Sequence, residues 1–587
     1  MTAQRVRTIR TVLVANRGEI AIRVMRACRE EGLSTVAVVS KDEVDPLHAR
    51  YADTTLTLQS SLALPYLDIR AVLQAAVASG ADAVHPGYGF LAENAAFAEA
   101  CEQAGIIFVG PPAQAIAVMG DKVAARAAAT AAGVPVVPGT DGPVDAAGAR
   151  AFGEQFGYPL ALKAAAGGGG RGFRVAFAAA EVDDAWTGAS GEAARYFANP
   201  TVYVERYLDH PRHIEIQVMA DRHGNVVALG ERDCSIQRRH QKLVEEAPSP
   251  AVDAELRAAM NATAERLARA VGYVGAGTLE FLVQDGAFYF LEMNTRIQVE
   301  HPVTEAVTGI DLVREQLRVA GGAPLSFRSA PQPWGHAIEC RINAEDAARE
   351  FTPTPGKLSV FRPPSGFGVR VDTGFENGGV IEPRFDSLIA KLIVWGRDRD
   401  EAVSRLRRAL NDFEVGGVAT TLPFHRALVR NPDFIRGDYD TRFLEQSNIV
   451  DLVAPWIPEP ADAAADDLLP VEVDGRTYHV RLPTGIAARG RSTPAQAPRS
   501  KLRAGKTNVK TGAELRSPIQ GTVLRVAVEP GARVEAGQLI CIIEAMKMEN
   551  EIGAQHAGVV QDVHVTAGQA IQVGGMIALI EPAATAD

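Results

Sequence analysis

The chain has 587 residues, enough for several domains, and its 47% apolar and 22% charged residues are those of a soluble globular protein. With 60 Lys and Arg against 71 Asp and Glu, the net charge of −11 argues against a general nucleic-acid surface. Five scattered cysteines with no Cys-x-x-Cys pair argue against a disulfide framework or a thiolate metal site and fit a reducing cytoplasm, and neither a signal peptide nor a membrane span is expected.

Residues 11–15 read as a buried parallel strand, 19–31 as an amphipathic helix closed by Gly32, and 35–39 as the next strand, a βαβ start. The turn Asn16-Arg17-Gly18 lacks the Gly-x-Gly-x-x-Gly pattern, so no dinucleotide site is expected. Pro86-Gly87-Tyr88-Gly89-Phe90 reads as a loop of tight turns after a strand, and 106–110 as a further strand. Asp121 is a candidate N-cap for an alanine-rich helix that Gly133 and Pro135 end, which puts Lys122 in the first turn, where anions bind.

Runs at 159–163 and 173–176 read as strands and bracket Gly167, Gly168, Gly169, Gly170, Arg171 and Gly172. Four consecutive glycines commonly form a linker, but between two strands their N–H groups can fold over a polyphosphate. No Gly-Lys-Ser/Thr follows, so this is not a Walker loop. With Lys163 on the preceding strand, it points to a nucleotide held between two β-rich lobes.

His213-Ile-Glu215-Ile-Gln217 reads as a strand with one polar face, and Glu231 to Lys242 is densely cationic. Such a run is ordinarily a solvated face, but here it lies between strand-like segments with Glu245-Glu246 directly after it, which suits a lined pocket. The hairpin formed by 277–283 and 288–294 carries Glu280, Glu292 and Asn294, hard oxygen ligands of the kind Mg²⁺ takes. They can serve one metal only from one face of the sheet. A two-residue turn at Asp285-Gly286 opposes Gln284 to Ala287 and puts the glutamates on opposite faces, whereas a three-residue loop 285–287 sets Glu280 across from Glu292. A shared metal therefore predicts the longer loop. Arg296 and Glu300 follow two alternations apart, and Arg341 reads as a strand-end residue; each alone could be a structural ion pair.

Beyond residue 450 come an acidic Pro/Ala-rich stretch (457–467), a candidate hairpin (471–480) and a basic linker (489–510). The remainder is an internal repeat: Gly521, Val528, Gly531, Val534 and Glu544 recur as Gly558, Val565, Gly568, Ile571 and Glu581. Alternating apolar residues predict two interlocked half-sheets. The turn joining them holds Lys547 between Met546 and Met548, and exposed methionines on both sides of a turn lysine have no packing reason in a free-standing domain. A covalently tethered carrier needs such an exposed lysine.

Ala-Met-Lys-Met at 545–548 resembles the biotinyl domain of biotin-dependent carboxylases rather than a lipoyl domain, which shares the fold but not the tetrapeptide. Lys122, Lys163 with its glycines, the Arg232 to Lys242 run, Glu280, Glu292, Arg296 to Glu300 and Arg341 closely resemble a biotin carboxylase of the ATP-grasp fold, and the fused chain resembles the α subunit of an actinobacterial-type acyl-CoA carboxylase. The resemblance implies an α/β chain with a Rossmann-like N-terminal domain (1–121), an ATP-grasp small lobe with its lid (122–204), a central and C-terminal carboxylase domain (205–450), a linker with a short β docking element (451–513) and an all-β biotinyl domain (514–584). It implies ATP contacts from Lys122, Lys163, Gly168, Gly169, Gly170, Glu205, Leu208, His213, Gln237 and His240, and Mg²⁺ or Mn²⁺ on Glu280, Glu292 and Asn294. Bicarbonate would lie on Lys242, Arg296, Gln298, Val299 and Glu300, and biotin on Lys547.

By the same resemblance Glu300 would deprotonate bicarbonate for attack on the γ-phosphate, carboxyphosphate would release CO₂ and phosphate, and Arg341 would stabilise the biotin enolate. No segment is long enough for a carboxyltransferase, so a separate β subunit acting on an acetyl- or propionyl-CoA-type substrate is expected, with a biotin protein ligase and a carboxylase dimer. Two competing readings stay open: another ATP-grasp carboxylate-amine ligase, which leaves Ala-Met-Lys-Met unexplained, and a non-catalytic carrier with a degenerate ATP site.

Overall fold

A computed structural model describes residues 8–43, 45–140, 142–164, 173–197, 200–238, 241–448, 452–457, 468–473, 476–481, 513–519, 521–545, 548–572 and 574–582. The chain divides into two units, one ending at Val453 and the other beginning at Ala454.

The first unit opens with five parallel strands, β1 (Thr11–Val14), β2 (Ser34–Val39), β3 (Thr54–Thr57), β4 (Ala83–His85) and β5 (Ile107–Phe108), in the order β3-β2-β1-β4-β5. Strand alternation sends Val12 and Val14 of β1 into one core with Ile20 and Val24 of helix Gly18–Glu30, and Leu13 into another with Val84 and Phe97. Cover on both faces is why β1 is a continuous apolar run. A smaller antiparallel sheet follows, with β6 (Leu160–Ala164) between β7 (Phe173–Ala176) and β8 (Val202–Arg206). The glycine stretch that joins β6 to β7, with Gly168, Gly169 and Gly170, lies outside the described residues.

The large sheet comprises β9 (Arg212–Ala220), β10 (Val226–Arg238), β11 (Gln241–Ala247), β12 (Gly275–Gln284), β13 (Ala287–Asn294) and β14 (His336–Asn343). Its order is β13-β12-β9-β10-β11-β14, continued by Leu388–Gly396 and Val369–Thr373. Ile214, Ile216, Leu279 and Phe281 pack against Met260, Ala264 and Leu267 of helix Ala254–Ala270. Alternation then forces Glu215, Gln217, Thr278 and Glu280 onto the other face, although all four are buried.

The β12–β13 hairpin corrects the longer loop expected from the sequence. Gln284 pairs with Ala287, and Asp285 and Gly286 take φ of 52° and 74°, the two left-handed positions of a two-residue turn. The turn alone would set Leu291 opposite Glu280. Between the pairs Phe281–Phe290 and Glu280–Glu292, however, the register slips by one residue, so Leu291 is a bulge. Glu280 thus faces Glu292, and Thr278 faces Asn294. The shared face required for a metal is present, made by a bulge instead of a loop.

In the second unit, strands Leu468–Val473 and Arg476–Arg481 pair as the hairpin expected near 471–480. The repeat builds two four-stranded sheets, each drawing strands from both halves: Gly521–Val526 lies beside Ala570–Ile571, and Gly558–Val563 beside Arg533–Val534. Gly521 and Gly558 occupy equivalent close approaches, where a Cβ would collide with the carbonyl oxygens of Glu544 and Glu581. Strands Leu539–Ala545 and Met548–Gly553 pair out to Ala545 and Met548; Met546 and Lys547 lie outside the described residues.

Candidate active site

The polar face of the large sheet gathers most of the charged residues singled out from the sequence. Lys242 on β11 donates to Glu215 Oε2 at 2.5 Å, Glu280 Oε1 at 2.9 Å and Glu300 Oε1 at 2.7 Å. Arg341 on β14 donates through Nε to Glu245 Oε1 at 2.6 Å and through Nη2 to Glu300 Oε2 at 3.0 Å. Glu300, at the N-terminal end of helix His301–Thr308, therefore has one carboxylate oxygen on each cation.

Electrostatics follow from this geometry. Burial alone would raise the Glu300 carboxyl, but Lys242, Arg341 and Arg232 outweigh it and hold the group well below the ordinary carboxylate range. Burial likewise works against the Lys242 ammonium, and Glu215, Glu300 and Glu280 together hold it well above its usual value. Behind Arg341, burial pushes the Glu245 carboxyl up to about 7, against the pull of Arg341. The site thus keeps one carboxylate ionised between two fixed cations.

Glu280 Oε1 also accepts from Asn294 Nδ2 and Gln298 Nε2, both at 2.9 Å, and His213 Nε2 stands 3.0 Å from Glu280 Oε2. Arg296 donates to Asn294 Oδ1 at 2.8 Å and to Glu93 Oε2 at 2.9 Å. The Val299 carbonyl accepts from the wholly buried Lys391 at 2.8 Å. Glu292 shares the face of Glu280, and its carboxyl is raised by burial first and by the like charge of Glu280 second. Two neighbouring carboxylates, one of them short of compensating positive charge, fit a hard divalent cation, while the Asn294 amide turns its NH₂ to Glu280 and its oxygen to Arg296.

The remaining expected residues lie nearby in the fold. Lys163 on β6 donates to Glu205 Oε2 on β8 at 2.6 Å. Lys122 begins helix Lys122–Ala131, whose N-cap Asp121 accepts from the Ala124 N–H at 2.7 Å, and its charge bears on Glu292. Leu208 is buried just beyond β8, and Gln237 pairs with Lys242 across β10 and β11. His240, like the three lid glycines and Lys547, lies outside the described residues.

Residues not chosen from the sequence complete the centre. Glu215 on β9 pairs directly with Glu280 on β12 and binds Lys242. Arg232, Glu245, Glu93 and Lys391 hold the chosen residues in place. Glu215 had a signal in the polar alternation of β9, and Arg232 one in its cationic run; Glu93 and Lys391 come from distant segments with none.

The chain matches four family descriptions in order: "Biotin carboxylase, N-terminal domain" over 8–116, "Carbamoyl-phosphate synthase L chain, ATP binding domain" over 121–328, "Biotin carboxylase C-terminal domain" over 339–446 and "Biotin-requiring enzyme" over 513–580. It is 48% identical to the biotin-dependent acyl-coenzyme A carboxylase alpha3 subunit of Mycobacterium leprae, across 98% of this chain and 99% of that one. Biotin carboxylase 1 of Bacillus subtilis is 50% identical across 75% of this chain and 99% of its own. Among solved structures, a biotin carboxylase–beta-gamma-ATP complex from Campylobacter jejuni superposes with a TM-score of 0.69 at 44% identity, covering 75% of this chain and 99% of that one. The biotin carboxylase domain dimer of Hydrogenobacter thermophilus 2-oxoglutarate carboxylase, in complex with MgADP, ADP and bicarbonate, gives 0.68 at 46% identity, covering 74% and 97%. With an ATP-grasp carboxylase and a biotin carrier fused in one polypeptide, the chain belongs to the biotin-dependent carboxylases and is an ATP-dependent ligase of the acyl-CoA carboxylase α-subunit type.

Proposed function

We propose that this chain carboxylates biotin carried on its own Lys547, using ATP and bicarbonate, and passes the carboxyl group to a separate carboxyltransferase β subunit. The observation that carries this reading is the Glu300 carboxylate held between Lys242 and Arg341, at 2.7 and 3.0 Å. The carboxylate is unprotonated at the site, and it gains the basicity to take the proton of bicarbonate when the bound anion draws Lys242 and Arg341 onto itself. Lys242, Arg296, Gln298 and the Val299 backbone orient bicarbonate. Lys122, Lys163, Gly168, Gly169, Gly170, Glu205, Leu208, His213, Gln237 and His240 hold ATP. Glu280, Glu292 and Asn294 would hold Mg²⁺ or Mn²⁺, which neutralises phosphate charge when bound. Arg341 offsets negative charge developing on the ureido oxygen of biotin.

The domain divisions at 121, 204, 450 and 513 accompany this reading, as do loading of Lys547 by a biotin protein ligase, dimerisation of the carboxylase unit and action in the cytoplasm. The acceptor is an acyl-CoA of the acetyl or propionyl type, as in fatty acid biosynthesis. Support comes from the alpha3 subunit that matches along nearly the whole chain and from the dimeric state named for the Hydrogenobacter domain.

Intact mass of the chain co-expressed with a biotin ligase tests the carrier half: one biotinyl group on wild type and none on Lys547→Arg. ATP hydrolysis that requires bicarbonate tests the carboxylase half. No mass gain in the presence of an active ligase would separate the two halves and return the ATP-grasp region to the free-standing ligases.

A further inference from the structure

Arg232 is wholly buried on β10, and its guanidinium is fully engaged. Nε donates to Glu215 Oε1 at 2.5 Å, Nη1 to Gln217 Oε1 at 2.7 Å and Thr304 Oγ1 at 3.0 Å, and Nη2 to Thr278 Oγ1 at 3.1 Å and Gln298 Oε1 at 2.7 Å. A guanidinium has five N–H groups fixed in one plane, and here each meets its own acceptor. Three acceptors, Gln217, Thr278 and Thr304, belong to the surrounding scaffold. The other two lead into the site.

The consequences for those two are chemical. Glu215, gripped through Oε1, presents Oε2 to Lys242 at 2.5 Å. Gln298 must turn its amide oxygen toward Arg232, because an arginine offers donors and no acceptor; its NH₂ is then obliged to face Glu280, at 2.9 Å, on the reacting side. One rigid plane therefore sets both the lysine and the amide read above as bicarbonate ligands. We infer that Arg232 is a positioning residue for bicarbonate, fixing the rotamer of Gln298 directly and the ammonium of Lys242 through Glu215. Its charge also helps hold the Glu300 carboxyl low. The inference rests on the bicarbonate site proposed above.

Lysine at this position keeps the charge but has one tetrahedral donor centre in place of the planar fork, so it cannot serve Glu215 and Gln298 together in the same geometry. In the full-length biotinylated chain, Arg232→Lys is expected to raise the KM for bicarbonate about tenfold or more, equivalent to roughly 1.4 kcal/mol, with the KM for ATP changed less than about twofold. A residue that only supports the fold would lower the active fraction, and so kcat, without splitting the two KM values. Thr304→Val removes one acceptor from outside the site and keeps the test decisive should the lysine variant not fold: a rise of about two- to fivefold in bicarbonate KM is expected from one lost hydrogen bond. An unchanged bicarbonate KM in whichever folded variant is measured, or an equal rise for ATP, overturns the inference. Glu300→Gln separates this from failure of the site reading: if that variant still turns over with bicarbonate, the site reading itself is wrong, whereas an inactive Glu300→Gln beside a normal Arg232→Lys removes Arg232 alone.

Discussion

Glu280 faces Glu292 across β12 and β13 only because Leu291 is squeezed out of the ladder as a bulge. The Asp-Gly turn imposes a register that would otherwise leave the two carboxylates on opposite faces, and one extra residue in β13 reverses that. With Leu291 half exposed at 47%, the bulge carries an apolar side chain outside the core and brings the exposed Glu292 to the face of the buried Glu280. The arrangement concentrates negative charge, and the Glu292 carboxyl is raised by burial and by Glu280 in consequence.

Glu292→Gln should therefore raise the Mg²⁺ concentration needed for half-maximal ATP hydrolysis by at least about tenfold, since loss of an outer-shell partner alone typically costs 10- to 100-fold in metal affinity. Initial rates across a Mg²⁺ titration at fixed ATP give the answer. Superimposable wild-type and variant curves would remove Glu292 from the metal site.

Glu300→Gln keeps the shape of the side chain and abolishes its basicity. Bicarbonate-dependent ATP hydrolysis is expected to fall about 10²- to 10⁴-fold, the usual size of a general-base contribution. Nucleotide binding, followed by equilibrium titration, should stay close to wild type, because the direct partners of Glu300 are Lys242 and Arg341. A rate within severalfold of wild type would place the base elsewhere.

Arg341→Ala is expected to leave ATP affinity nearly intact and to abolish carboxyl transfer to biotin. The substitution also strips Glu245 of its cation at 2.6 Å, so the buried Glu245 carboxyl, already at about 7, becomes more strongly protonated. Labelled bicarbonate fixed on the tethered biotin is the readout. Normal incorporation in this variant would exclude Arg341 from the reaction.

The sequence was most legible where chemistry and periodicity coincide. Asp121 caps its helix and Gly133 follows it at φ 68°, and the 37-residue repeat of the carrier half reappears as strands exchanged between two sheets. Glu280, Glu300, Lys242 and Arg341 converge as the resemblance implied, three of them from strands of the large sheet and Glu300 from the N-terminal end of helix His301–Thr308. Legibility failed where one residue shifts a register: the bulge at Leu291 has no signature in Phe-Tyr-Phe-Leu-Glu, and turn length alone gave the wrong loop. It failed also for Lys391 and Glu93, whose partners Val299 and Arg296 are 92 and 203 residues away in sequence, distances at which only the folded chain brings groups together.

Glu246 offers a test of what holds the large sheet to the C-terminal helices. Its carboxylate accepts from Arg399 Nε at 2.7 Å and Nη2 at 3.0 Å and from the Tyr439 hydroxyl, and it contacts His336 Nε2 at 2.5 Å. Burial would raise this carboxyl, but the hydrogen bond and charge of His336, with Arg399, hold it far below its ordinary value of 4.5. A carboxyl depressed in the fold contributes stability above its unfolded value, and that stability is lost as pH falls through the folded one. Glu246→Gln should thus destabilise the carboxylase unit at pH 7 by about 3–5 kcal/mol, the cost of removing one partner from a buried pair. Below pH 4.5 the gap to wild type should begin to narrow, because the unfolded wild-type chain takes up the proton there while the folded carboxylate stays ionised, and urea unfolding at pH 7 and pH 4 measures it. A gap that stays constant between the two pH values would mean that Glu246 contributes by packing, not by its charge.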